Sequence, residues 1–121
     1  AGVPMLRRRT AGRAVRTSLA YSAAAGDEVE DLRVLLAAAV DRAGPGGLGG
    51  VVSGAVLSDY QRLRVEAVCA ELGLTPLAPL WRWPQRALLG AMVRDGVDAV
   101  LVKVAAMGLD PHKHLGRSVA E

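Results

Sequence analysis

The chain has 121 residues, 51% of them apolar, with a formal charge of +3 and one cysteine. This is enough for one modest domain with a core, and a lone cysteine excludes an internal disulfide and fits a reducing compartment. No apolar run is long enough to cross a bilayer, and no secretory signal pattern opens the sequence.

Taken in chain order, residues 3–6 read as a short strand, with Pro4 suiting an edge or a strand start. Arg7, Arg8, Arg9, Arg13 and Arg16 then hold much of the positive charge. They have one nearby aromatic, Tyr21, and no helical face pattern. They therefore read as a solvated loop after a strand, and no direct nucleic-acid contact is expected. Residues 9–26 are polar, small and irregular. Gly26-Asp27-Glu28 opens a helix, since acidic residues suit the positive end of the macrodipole. Val29, Leu32, Leu36 and Val40 form its apolar stripe to about Arg42. The glycine-rich stretch 44–50 ends it. No Lys-Ser or Lys-Thr pair follows, so the stretch reads as a connector and not as a phosphate loop.

Residues 51–57 read as the next strand, which ends in a dense polar cluster: Ser58, Asp59, Tyr60, Gln61, Arg62, Arg64 and Glu66. The cluster opens a second helix. A strand end and a helix start that converge in this way offer free backbone N–H groups to an anion. Helix capping explains Ser58 or Asp59 alone, but not the two arginines, the tyrosine and the glutamine. Val65, Val68, Cys69 and Leu72 share one face, so Cys69 reads as core, and Gly73 suits the helix end.

Residues 74–80 form a short strand broken by Pro76 and Pro79. Trp81 stands at its end, placed either to stack on a ligand or to cover the sheet edge; Trp83 reads as packing. Pro84 opens a third helix with Leu88, Leu89, Met92 and Val93 on its apolar side, closed by Gly96. Residues 97–104 form the clearest strand, apolar enough for burial on both faces of a parallel sheet. Lys103 near its end reads either as a lysine snorkelling to water from the strand end or, the favoured reading, as an anion or substrate contact on the same rim as Ser58 and Arg62. Asp110 and Pro111 start a last helix, and the spacing of His112 and His114 does not by itself make a metal site. Alternating strands and helices imply an α/β fold, with a parallel sheet and helices on both faces.

Four stretches carry a resemblance: Gly26-Asp-Glu-Val-Glu-Asp-Leu32, Gly54-Ala-Val-Leu-Ser-Asp-Tyr-Gln-Arg-Leu-Arg-Val-Glu66, Leu77-Ala-Pro-Leu-Trp81 and Lys103-Val-Ala-Ala-Met-Gly-Leu-Asp-Pro-His-Lys-His-Leu-Gly116. In order and spacing they resemble the diphthine–ammonia ligase (diphthamide synthase) family across nearly the whole chain. The resemblance implies an ATP pyrophosphatase domain with a Rossmann-like, adenine nucleotide alpha hydrolase-like sheet. It implies ATP, with Mg²⁺, as cofactor, ammonia as co-substrate, and diphthine-bearing elongation factor 2 as the cytoplasmic partner. It further implies catalytic roles for Asp59, Arg62 and Lys103. Ser58, Tyr60, Gln61, Arg64, Glu66 and Gly108 would bind substrate or nucleotide. The family's first-strand Ser-Gly-Gly-x-Asp-Ser loop and its later Gly-Glu-x-Gly-Glu-Tyr-Glu-Thr segment are not in this sequence. Residues 1–121 are therefore expected to be a middle part of such a domain, incomplete at both ends and inactive alone. Two other expectations stay open: a non-catalytic nucleotide- or protein-binding module of the same fold, and a bacterial-type relative acting on another carboxylate.

Overall fold

The structure, a computed structural model, describes residues 3–121. It divides after Trp81 into two compact units.

The first unit contains α1 (Glu28–Ala43), β1 (Gly50–Val52), α2 (Asp59–Leu72) and β2 (Thr75–Leu77). α1 begins where the composition places it. Asp27 caps it, its carboxylate accepting the Val29 N–H at 3.0 Å, and Glu28, Glu30 and Asp31 put negative charge in the first turn. Gly44, at φ 75°, ends it by donating its N–H to the Val40 carbonyl. Ser58 caps α2 by accepting the Gln61 N–H at 3.2 Å, and left-handed Gly73 terminates it. β1 and β2 pair in parallel with α2 as the crossover between them, and Gly50, Val51 and Val52 stand opposite Thr75, Pro76 and Leu77. This is the βα pattern read from the sequence, reduced to two strands among the described residues.

Val29, Ala55, Val68, Cys69 and Leu74 form the buried apolar core of this unit. Cys69 is 0% exposed, and burial, followed by the nearby Glu66 charge, pushes its thiol pKa up. The thiolate is the reactive form. Cys69 is therefore expected to resist a thiol reagent in the native protein and to react within the dead time in denaturant. Fast native labelling would contradict this packing.

The second unit contains α3 (Gln85–Arg94), preceded by Pro84, and the short α4 (Pro111–His114). Ala91 is its buried residue, whereas Leu89 and Val93 stay exposed on the face expected to be apolar. Asp110 caps α4 by accepting the His112 N–H at 2.8 Å.

Several strands differ from expectation. Residues 3–6 form no strand, and Val3 and Met5 are exposed. The strands expected at 51–57 and 74–80 shorten to Gly50–Val52 and Thr75–Leu77. Residues 97–104 form no strand either. Val100 makes one isolated antiparallel bridge to Ser118, and Val102 is 87% exposed. An apolar run becomes a buried strand only where neighbours meet its backbone on both edges.

Candidate functional site

The polar cluster lies where expected, at the start of α2. Ser58 is occupied as the cap. Arg62 projects beside it and is held from both sides: its Nη2 donates to Asp59 at 3.0 Å and its Nη1 to Glu66 at 2.6 Å. Its guanidinium also lies 4.7 Å from the centre of the Trp81 ring. Spacings of three and four residues bring Asp59, Arg62 and Glu66 onto one helix face. Asp59 first, then Glu66, raises the Arg62 pKa above its ordinary value. Trp81 therefore joins the end of β2 to the start of α2 through the cation. Arg62 Nε is buried without a hydrogen-bond partner. Gln61 is exposed at the helix start.

Arg64 takes another direction. It is 3% exposed, and its guanidinium lies 3.2 Å from the Tyr60 ring centre and 5.5 Å from that of Tyr21. Its Nη1 donates to the Tyr60 carbonyl at 3.2 Å, and its Nη2 donates to the carbonyls of Arg16 and Ser18. The structure thus places Arg64 inside the unit as a tie to the segment before α1. The Tyr60 hydroxyl reaches the same Arg16 carbonyl at 3.4 Å.

That segment is an exposed loop, as expected, but its backbone is tied down into a strap. Asp27 accepts the N–H groups of Val15 at 3.1 Å and Arg16 at 2.7 Å, and Asp31 accepts those of Ala11 at 2.7 Å and Gly12 at 2.9 Å. Gly12 runs so close to α1 that a Cβ there would lie 2.5 Å from the Asp27 carbonyl. The sequence marks Asp27 as a helix-start residue and gives Asp31 no separate role. Their side-chain oxygens do more, and the dense acidic spacing of Gly26–Leu32 was the available signal.

The Arg16 N–H first, then that of Val29, holds the Asp27 carboxyl below its ordinary range, and the Gly12 and Ala11 N–H groups do the same for Asp31. A folded pKa below the unfolded value of about 3.9 means that the stabilisation is complete above the unfolded pKa. It is lost as pH falls through the folded one. Asp27→Asn is therefore expected to lower stability at neutral pH and to flatten the acid limb of a stability-versus-pH curve. An unchanged acid limb would show that Asp27 does not carry it. Tyr21, half-buried and donating its hydroxyl to Glu30 at 2.7 Å, has its pKa pushed up to about 12, by desolvation first and the Glu30 carboxylate next.

Lys103 and Gly108 belong to the second unit, where Lys103 is exposed and Gly108 turns the chain at φ 87°. That unit holds a cavity of about 520 Å³ lined by Leu89, Leu101, Leu109, Lys113, Arg117 and Ser118, among others. Neither Lys103 nor Gly108 lines it. His114 Nδ1 accepts the Asp110 N–H at 2.8 Å, a local turn contact. Among the described residues no three ligand-type side chains converge as a metal site.

No family model matches the chain. Curated relatives do, along nearly its whole length. It is 52% identical over 120 residues to a Danio rerio protein named diphthine–ammonia ligase, covering 99% of this chain and 46% of that protein. The chain is homologous to part of the diphthine–ammonia ligases. The human ligase of that name is 46% identical over 117 residues, covering 97% of this chain and 43% of the relative. The Schizosaccharomyces pombe ligase is 43% identical over 119 residues, with 98% of this chain and 19% of the relative covered. The chain thus spans less than half the length of these ligases. No helix among the described residues is long and apolar enough to cross a membrane.

Proposed function

We propose that the protein carrying this chain is a cytoplasmic ATP-dependent amide ligase that amidates diphthine on elongation factor 2 with ammonia, releasing AMP and pyrophosphate. The observation that supports this reading is the 46–52% identity to diphthine–ammonia ligases over essentially the whole chain. In this reading residues 1–121 are part of a Rossmann-like, adenine nucleotide alpha hydrolase-like ATP pyrophosphatase domain, with helices on both faces of its sheet.

The chemistry joins two transfers. A carboxylate oxygen attacks the α-phosphorus of ATP, and the bond to pyrophosphate breaks. Ammonia nitrogen then attacks the acyl carbon, AMP leaves with the carbon–oxygen bond electrons, and the nitrogen loses a proton. Both steps concentrate negative charge on phosphate oxygens, which fixed donors and cations stabilise.

This chain's contribution would be one wall of that site. The first turn of α2, where Ser58 already takes the Gln61 and Arg62 N–H groups, would offer its remaining backbone N–H groups to an anion. Arg62 holds a cation at the same place, kept in register by Asp59, Glu66 and Trp81. Ser58, Tyr60 and Gln61 frame the turn, and Arg64 fixes its underside. Lys103 and Gly108, which belong to the second unit, are proposed as substrate- or nucleotide-contacting residues on the family resemblance alone. Asp59 offers one carboxylate, which suits Mg²⁺, an ion commonly held by one or two carboxylates together with phosphate oxygens and water. When bound, Mg²⁺ would offset phosphate charge; Arg62 would then be shared between Asp59 and the phosphates.

The test is AMP release from ATP by the full-length protein with diphthine-bearing elongation factor 2, with and without ammonium. Substrate-dependent AMP, with amide formed only in the presence of ammonium, establishes the ligase. No AMP above background from a folded full-length protein overturns it and favours a non-catalytic binding module.

A further inference from the structure

The arginine-rich segment has a role still to account for. Residues 7–16 include five arginines. Arg8 pairs with Asp31 at 2.8 Å, while the side chains of Arg7, Arg9, Arg13 and Arg16 are exposed and make no ion pair among the described residues. Their backbone is fixed: Asp27 and Asp31 bind the N–H groups of residues 11, 12, 15 and 16, and Arg64 binds the carbonyls of residues 16 and 18. A run of like charges in a loose loop is ordinarily solvated and mobile. Here two buried side chains, Asp27 at 1% exposure and Arg64 at 3%, anchor it beside the start of α2.

We propose that this strap is the docking surface for an acidic face of the protein that presents the carboxylate to be amidated, an inference that rests on the ligase reading above. Two observations favour a protein over a nucleic acid. Met5, Val15 and Leu19 are 75%, 53% and 61% exposed among the arginines. A mixture of arginine with apolar residues matches protein interfaces better than phosphate backbones. Tyr21, the aromatic nearest the arginines, is half-buried with one face toward Arg64, and Tyr60 lies against the same guanidinium, which leaves little aromatic surface on which bases could stack. The strap also touches the proposed site: its Arg16 carbonyl meets Arg64 and the Tyr60 hydroxyl. An acidic partner held there would bring its reactive side chain to the α2 end. Charges of this kind act chiefly on encounter and selectivity, and salt screens them.

The test uses the full-length protein and the triple variant Arg7→Gln, Arg9→Gln, Arg16→Gln, which leaves the Arg8–Asp31 pair and the anchoring backbone bonds in place. At low salt the KM for the protein substrate is expected to rise about tenfold, with kcat and the KM for ATP unchanged, and the difference should shrink at high salt. The corresponding triple lysine variant, which keeps the charge, should stay near the wild-type KM. An unchanged KM in the glutamine variant, while the wild type makes amide, overturns docking and leaves the ligase reading intact. If the wild type makes no amide, the ligase reading fails, and binding of a fluorescent glutamate-rich peptide decides the docking surface. Binding weakened about tenfold by the glutamine variant supports it. Equal binding by both proteins, or preference for a single-stranded RNA of equal length, overturns it.

Discussion

Replacing Arg62 with alanine in the full-length protein is expected to lower ligation about 100- to 1,000-fold, the range seen when one preorganised donor to developing charge is removed. Loss of fold should not be the cause. Its side chain is 26% exposed and its ion pairs with Asp59 and Glu66 are partly solvated, a setting in which such pairs contribute little. The loss should appear mainly in kcat, with the melting temperature nearly unchanged. Arg62→Lys should recover only part of the rate, because an ammonium cannot bridge two carboxylates and stack on Trp81 at once. Steady-state AMP formation measures this directly. A full rate in Arg62→Ala would reduce Arg62 to a clasp between α2 and the end of β2.

Arg64→Ala is expected to have the larger effect on stability, about 3 kcal/mol in a denaturant titration, because a buried side chain is truncated and three part-buried charged hydrogen bonds are lost with it. The side chain is almost wholly buried and serves the carbonyls of Tyr60, Arg16 and Ser18 together while lying against two tyrosine rings. Arg64→Met preserves much of the stem and should cost less than alanine but still leave those carbonyls unmet. A change below about 0.5 kcal/mol, the ordinary range for surface positions, would show that the strap is held without Arg64.

The sequence showed the helices well because their ends are written locally. Asp27, Ser58 and Asp110 each cap the helix that follows, and Gly44 and Gly73 each end one. Cys69 followed from spacing on one face and lies in the core. The strands were less legible because a strand is defined by its partners. Residues 97–104 have the composition of a central strand, yet Val100 meets only Ser118, while the less regular Thr75–Leu77 pairs fully with Gly50–Val52. At the site, the type and clustering of side chains were legible and their directions were not. Arg62 and Arg64 are two residues apart, so on a helix they point about 200° apart. One lies on Trp81 and the other sits beneath the strap. The strap left one trace only, the acidic spacing of Gly26–Leu32, since the backbone that Asp27 and Asp31 bind has no pattern of its own.

Four backbone N–H groups, those of Ala11, Gly12, Val15 and Arg16, lie outside any helix or extended strand and are held by carboxylates at the first turn of α1. Their exchange with deuterated solvent therefore reports on that turn and not on the strap alone. All four should exchange slowly while the turn is formed and become fast together when it opens, a small cooperative unit made of residues distant in sequence. Protonation of Asp27 and Asp31 in acid would release the amides of Ala11, Gly12 and Arg16, while Val15 keeps the Arg13 carbonyl as an acceptor, so the onset of fast exchange at those three on acidification should precede the loss of helical signal from the body of α1.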